Sequence, residues 1–188
     1  NKVTFHLPKF NNFSDINGGT TFNAVCGLCS VKPNFTPDEN QLKKFGLTFD
    51  GEKIISVGKS CHGSRPWLGV NAMKNLFEYM ISMGEDLQDA LDYLFYDKAG
   101  VFNIKNEQGM VTLSPNIVSE DQTGVHILCD VRVPAPKTLD ELYPIFDGFN
   151  IAYTPEIHRA PLYVPKDSEF VKKLINAYNH ATGENAEP

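Results

Sequence analysis

Three polar side chains in this sequence are of types that do chemistry and lie where their placement needs a reason: Asn23, His62 and Arg132. His62 falls in GKSCHGSRPWLGVNA, residues 58–72, where Gly58, Ser60, Gly63 and Ser64 allow backbone to come close to whatever the imidazole faces. Arg132 projects from a strand-like stretch opposite an apolar face, with Asp130 two residues away on the same side. Asn23 lies in a strand-like stretch, GGTTFNAVC, beside a Gly-Gly loop. A histidine, an asparagine and an arginine that converge can bind a carboxylate and polarise a carbonyl. Taken singly, each also has an ordinary structural role. His62 can cap the helix that follows, Arg132 can pair with Asp130, and Asn23 can satisfy a turn.

The cysteines offer a second chemistry. Cys26-Gly-Leu-Cys29 has the C-x-x-C spacing of a redox pair or half of a zinc site. No second C-x-x-C follows at zinc-finger spacing, and a thioredoxin-type pair belongs at a helix N-terminus, whereas strand is expected on both sides here. In an extended segment, positions three apart face opposite sides of a sheet. Cys26, Cys29, Cys61 and Cys129 therefore read as small buried thiols of a reducing compartment, and the expected location is cytoplasmic. There is no G-x-S-x-G elbow, P-loop or H-E-x-x-H, and no His/Asp/Glu group is spaced to promise a metal site. No metal ligand is assigned.

The elements that must hold these residues follow from apolar periodicity. KVTFHL alternates as a strand, and NNFSDINGGT reads as a polar loop turning at Asn17-Gly18-Gly19. TTFNAVCGLCSV reads as a strand or a strand pair. Asp38 to Lys44 reads as a short helix opened by Pro37, and Asp50-Gly51 between two apolar runs signals a type I′ hairpin. Val70, Met73, Phe77, Met80 and Ile81 share one helical face, and Leu87, Ala90, Leu91, Leu94 and Phe95 share another. Two strands follow. In the second, Val125, Ile127, Cys129, Val131 and Val133 face one way, and His126, Leu128, Asp130 and Arg132 the other. Thr138–Phe146 predicts a helix with Leu139, Leu142 and Ile145 inward, and FNIAYTPEI a strand. Asp167 or Ser168 caps a last helix striped by Val171, Leu174, Ile175 and Tyr178. Hairpin-joined strands with interspersed helices predict an α+β fold, a mainly antiparallel sheet with helices packed on one side.

The 188 residues suit one domain or one domain with a fragment of another. With 17 Lys+Arg against 23 Asp+Glu the formal charge is −6, which argues against nucleic acid or an anionic membrane as partner. No apolar run approaches the roughly 18 residues of a membrane helix.

The motifs also resemble a known family. GKSCHGSRPWLGVNA resembles the G-x-S-A-H-G-S-x-P-x-x-G-x-N-A signature in the lid domain of co-catalytic zinc peptidases, among them PepV-like dipeptidases, acetylornithine deacetylases and succinyl-diaminopimelate desuccinylases. GMVTLSPNIVSED, CDVRVP and HRAPLYVPKDSEFVKKLINAYNHATG resemble the PepV-like dipeptidases in the same order. The resemblance implies that His62 helps stabilise the oxyanion of a tetrahedral intermediate and that Asn23 contacts substrate beside it. It implies that Arg132 grips the C-terminal carboxylate of a short peptide. Cys26 stands where the family has proline, and Cys61 where it has alanine. The resemblance further implies a lid domain over residues 1–157 and, over 158–188, the start of the returning part of a split catalytic domain. That domain is the lid's partner and carries two divalent metal ions, zinc or manganese, while this chain carries none. On this reading the chain is an excised fragment, inactive alone and able to self-associate, and its last helix lacks packing partners, so that it frays or docks on a neighbouring molecule. The alternatives are an amino-acid deacylase or desuccinylase lid, or an interaction module of an inactive relative.

Overall fold

The computed structural model describes residues 1–187. In chain order the strands and helices are β1 (Lys2–Leu7), β2 (Phe13–Gly18), β3 (Leu28–Pro33), α1 (Glu39–Lys44), β4 (Leu47–Phe49), β5 (Ile54–Val57), α2 (Ala72–Ser82) and α3 (Gln88–Leu94). They continue with β6 (Lys105–Asn106), β7 (Gly109–Met110), β8 (Thr112–Glu120), β9 (Val125–Arg132), α4 (Tyr143–Phe146), β10 (Ala152–Ile157) and α5 (Glu169–Thr182). Eight strands form one sheet in the order β10-β1-β9-β8-β2-β3-β5-β4, antiparallel throughout, and β6-β7 is a separate small hairpin. The fold is the expected α+β class. Among the described residues, no helix is long and apolar enough to cross a membrane.

Alternation builds the sheet. In β9, Val125, Ile127, Cys129 and Val131 are buried against Val3, Phe5, Phe146 and Phe149, while His126, Leu128 and Arg132 stay half-exposed on the other face. Apolar burial of this kind contributes about 25 cal/mol per Å² removed from water, enough to fix which face of each strand points inward. Met73, Leu76, Phe77 and Met80 bring α2 onto β3 and β5, and Ala90, Leu91 and Leu94 bring α3 onto β8. Asn71 caps α2, accepting from Met73 N at 3.1 Å, and its amide donates to Pro115 O at 2.6 Å. The helix start is thereby fixed to the middle of β8.

Five expectations change. NNFSDINGGT is largely strand, because β2 inserts between β8 and β3 with Phe13, Ile16 and Gly18 inward. A left-handed residue at Asp15 (φ 51°) breaks the period-two pattern there. In TTFNAVCGLCSV only β3 is a strand; the stretch before it is irregular and forms a single bridge at Ala24. Val70 lies before α2, exposed, because its backbone pairs with Lys59 instead. Thr138–Phe146 divides into a 3₁₀ turn, Leu139–Leu142, and the single turn α4. A hairpin does form at Asp50-Gly51, but not with a type I′ turn. Its loop has four residues, 50–53, and of Asp50 and Gly51 only Gly51 has a positive φ (101°), because the Asp50 carboxylate instead organises the loop by accepting from the N–H groups of Glu52 and Lys53.

On the face of the sheet away from the helices, β1 and β9 set His6 opposite His126, Nδ1 to Nδ1 at 2.9 Å. His126 Nε2 lies 3.0 Å from Asp121 Oδ1, which only accepts, so His126 donates there and its Nδ1 is an acceptor. The single proton between the rings therefore sits on His6, whose Nε2 accepts from Thr154 Oγ1 at 2.8 Å. Burial first, and then the neighbouring His126, hold His6 below its ordinary value, with Glu156 opposing. A base depressed in the folded state contributes stability that is full above the unfolded value, about pH 6.5, and is lost as pH falls through the folded value. The urea midpoint should therefore drop between about pH 7 and 5, and His6→Gln should flatten that slope. An equally steep slope in the variant would remove His6 from the account.

Candidate functional site

The segments that carry the three sequence-predicted residues meet at Gly63, through the Asn23 carbonyl on one side and the Asp130 carboxylate that holds Arg132 on the other. Two backbone pairings make the frame. Lys59 and Val70 exchange hydrogen bonds (2.8 and 2.9 Å), pinching off the loop that carries His62. That loop runs antiparallel to Asn23–Val25: Ala24 bridges His62, Val25 N donates to Cys61 O at 2.9 Å, and Gly63 N donates to Asn23 O at 2.7 Å. The glycines are required by contact. A Cβ at Gly58 would lie 2.1 Å from Val70 O, and one at Gly63 would lie 2.9 Å from Asp130 Oδ2 and 3.0 Å from Asn116 Nδ2.

His62 is exposed at the tip. Its Nδ1 accepts from Ser64 N–H at 3.2 Å and contacts Ser64 Oγ at 2.8 Å. A backbone N–H only donates, so in the neutral ring the proton belongs on Nε2, which has no partner among the described residues. Asn23 is half-buried, and its side-chain amide makes no hydrogen bond among the described residues, leaving both of its functions open. Arg132, at the end of β9, donates from Nε (2.9 Å) and Nη2 (2.8 Å) to the same oxygen, Asp130 Oδ2. Asp130 is fully buried and its other oxygen, Oδ1, has no partner among the described residues. The pairing raised as an ordinary role for Arg132 is therefore real. The same carboxylate also packs on Gly63, so it ties the guanidinium to the His62 loop.

Sequence reasoning missed Asn116. This buried side chain accepts from Ser114 Oγ at 2.7 Å and donates to Phe22 O at 2.6 Å, which fixes the backbone just before Asn23. Its only signal is a polar Ser-Pro-Asn step inside an otherwise apolar strand. Cys26 and Cys29 need a correction. They do not face opposite sides: the strand begins only at Leu28, and both sulfurs close on Gly18, where a Cβ would meet Cys29 Sγ at 2.7 Å and Cys26 Sγ at 3.1 Å. All four cysteines are free thiols; Cys26, Cys29 and Cys129 are buried as expected, whereas Cys61, at the edge of the His62 loop, is only half-buried. The hydrogen bond from Cys29 holds the Cys26 thiol below its ordinary value, and the same bond, with burial, pushes Cys29 well up. Among the described residues no three His, Cys, Asp or Glu side chains converge to hold a metal ion.

The segments that meet at Gly63 thus carry an anchored cation, an exposed imidazole and an unpaired amide. No family model matches the chain. Similar curated proteins include one from Staphylococcus haemolyticus (strain JCSC1435), 27% identical over 167 residues, or 80% of this chain and 36% of that protein. One from Staphylococcus epidermidis (strain ATCC 12228 / FDA PCI 1200) is 29% identical over 168 residues, 80% of this chain and 35% of its own length. A third, from Staphylococcus aureus (strain USA300), is 26% identical over 167 residues, with 80% and 36% covered. Each carries the name "Putative dipeptidase". The chain spans about a third of the length of the curated relatives it matches.

Proposed function

We propose that this chain is the lid of a metal-dependent dipeptidase and that Asn23, His62 and Arg132 act together on a short peptide with a free C-terminal carboxylate. The observation that supports the reading is that Gly63, next to His62, accepts no side chain because the Asn23 backbone and the Arg132–Asp130 pair pack against it. Arg132 offers its outward guanidinium edge to the carboxylate and so sets which peptide bond faces the rim. His62 Nε2–H donates to the carbonyl oxygen as it becomes an oxyanion, and the Asn23 amide adds a second donor. Two divalent ions, zinc or manganese, would supply the Lewis acidity and the hydroxide of such an enzyme. The side chains described do not form that centre, so no step is assigned through it; in this reading its ligands belong to other parts of a longer protein.

Residues 158–188 begin the returning part of the catalytic domain in this reading. α5 supports it: Ser168 caps the helix, accepting from Val171 N at 3.3 Å, yet no residue of α5 is buried and Phe170, Leu174 and Tyr178 are exposed along it. The isolated chain hydrolyses nothing and is prone to self-association through that stripe. The longer protein works in the cytoplasm, where the four thiols stay reduced. The test is hydrolysis of unmodified dipeptides by the longer protein with added zinc or manganese, against the same dipeptides with amidated C-termini and against a chelator. Cleavage that needs both the metal and the free carboxylate is expected. Equal cleavage of amidated dipeptides removes the role of Arg132, and no cleavage of any dipeptide overturns the reading.

A further inference from the structure

Beside Arg132 lies a concavity of about 300 Å³ lined by Asn1, Lys2, Phe22, Arg132, Ile157 and Arg159. That volume is at the lower end for small-molecule pockets, on the order of one amino-acid side chain with its carboxylate. Three of its walls are cations. Arg132 is engaged by Asp130, whereas Lys2 and Arg159 pair with no carboxylate among the described residues. The acidic groups of the flanking segments are engaged elsewhere, Glu156 by Thr4 Oγ1 at 2.7 Å and Asp140 by His158 at 3.5 Å. Both free cations are positioned. The Lys2 ammonium lies 3.9 Å from the centre of the Phe22 ring, and the backbone of Arg159 is fixed by donation to Asn1 Oδ1 at 2.7 Å. Leaving the α-amine of Asn1 uncounted, the hollow keeps an excess of two positive charges in a chain whose formal charge is −6. A cationic hollow in an acidic surface concentrates anions locally.

We propose that this hollow is a second carboxylate subsite, which makes peptides with a C-terminal aspartate or glutamate the preferred substrate class. The assignment rests on the dipeptidase reading only for the word substrate; the binding of dianions stands by itself. Arg132 takes the α-carboxylate, Arg159 and Lys2 take the side-chain carboxylate, and Phe22 and Ile157 flank the methylenes between. A group placed to bind a charge discriminates sharply against a ligand that lacks it. The isosteric pair glutamate and glutamine is therefore the right comparison.

The experiment is titration of this chain with N-acetylglutamate and with N-acetylglutamine, followed through the arginine Nε–H resonances in ¹⁵N spectra. The dianion should bind about tenfold more tightly, the effect of one charge-assisted contact. Arg159→Gln should reduce that preference to less than about threefold, Arg159→Gln/Lys2→Gln should abolish it, and salt should weaken it. Arg159 is exposed and Lys2 is half-buried with its ammonium over the exposed Phe22 ring, so these variants should keep the wild-type circular dichroism. Equal binding of the two ligands, no binding of either, or a preference that survives in the double variant would overturn the subsite. In the longer protein the matching readout is kcat/KM for Ala-Glu against Ala-Gln. If neither is cleaved, the dipeptidase reading fails while the titration still decides the subsite.

Discussion

Replacing His62 by alanine in the longer protein should lower the turnover of its dipeptide substrate roughly 100- to 1000-fold, the cost of losing one oxyanion donor. KM should change little, because the interaction is made with charge that develops only in the transition state. The structural reason for expecting so large an effect is that the His62 ring makes no hydrogen bond beyond the Ser64 contacts within its own loop. It is exposed at the loop tip, and the loop is held by the backbone pairs Lys59–Val70, Val25–Cys61 and Gly63–Asn23, none of which uses the imidazole. The fold should therefore survive the substitution, with an unchanged urea midpoint. Ser64→Ala provides the graded control. It removes the Oγ contact to Nδ1 but keeps the Ser64 N–H that selects the tautomer, so turnover should fall by less than about tenfold. His62→Gln keeps an N–H donor on a flexible side chain and should fall between the two. Unchanged turnover in His62→Ala would leave the histidine as a hinge residue and the Asn23 amide as the only lid donor.

How much of this was legible depends on the range of the forces involved. β9 could be read from its alternation, because burial of one face is written locally every second residue. His62 and Arg132 stood out for a similar reason, as a functional side chain among small residues and as a cation opposite an apolar face. β2 was hidden because Gly18 and Gly19 imitate turn chemistry. Packing also demands glycine at both: Cys29 Sγ and Asn116 O occupy the space where their Cβ atoms would lie, at 2.7 and 1.8 Å, and Gly19 is left-handed besides (φ 78°). Those contacts are set by packing between strands, which no local pattern encodes. Cys26 and Cys29 misled in the same way, since the three-residue rule assumes an extended chain and the strand starts only at Leu28. Asn116 was invisible because its partner, Phe22 O, lies 94 residues away in sequence. The site was thus readable in its reacting groups and unreadable in what holds them.

The holding groups carry the second large effect. Arg132→Met should destabilise the chain by about 2–3 kcal/mol, below the 3–5 kcal/mol of a fully enclosed pair because 43% of the Arg132 side chain remains exposed. The loss comes from what is left behind. Asp130 is fully buried, both Arg132 donors meet its Oδ2, and its Oδ1 has no partner, so removing the guanidinium strands a carboxylate in the interior. Arg132→Met/Asp130→Asn removes the stranded charge as well and should recover more than half of the loss, which urea unfolding followed by circular dichroism can measure. If the single variant costs no more than an ordinary surface change, about 0.5 kcal/mol, the carboxylate is not stranded and the pair serves position alone. Activity of the longer protein separates the two roles. Asp130→Asn keeps the cation but loosens its anchor, so KM should rise more than kcat falls. Arg132→Lys keeps the charge, but a lysine ammonium cannot hold Asp130 Oδ2 through two fixed donors and still offer a planar edge outward. It should therefore behave closer to Arg132→Met in KM than in stability. That split is what a residue with a buried anchor and an exposed working edge must show.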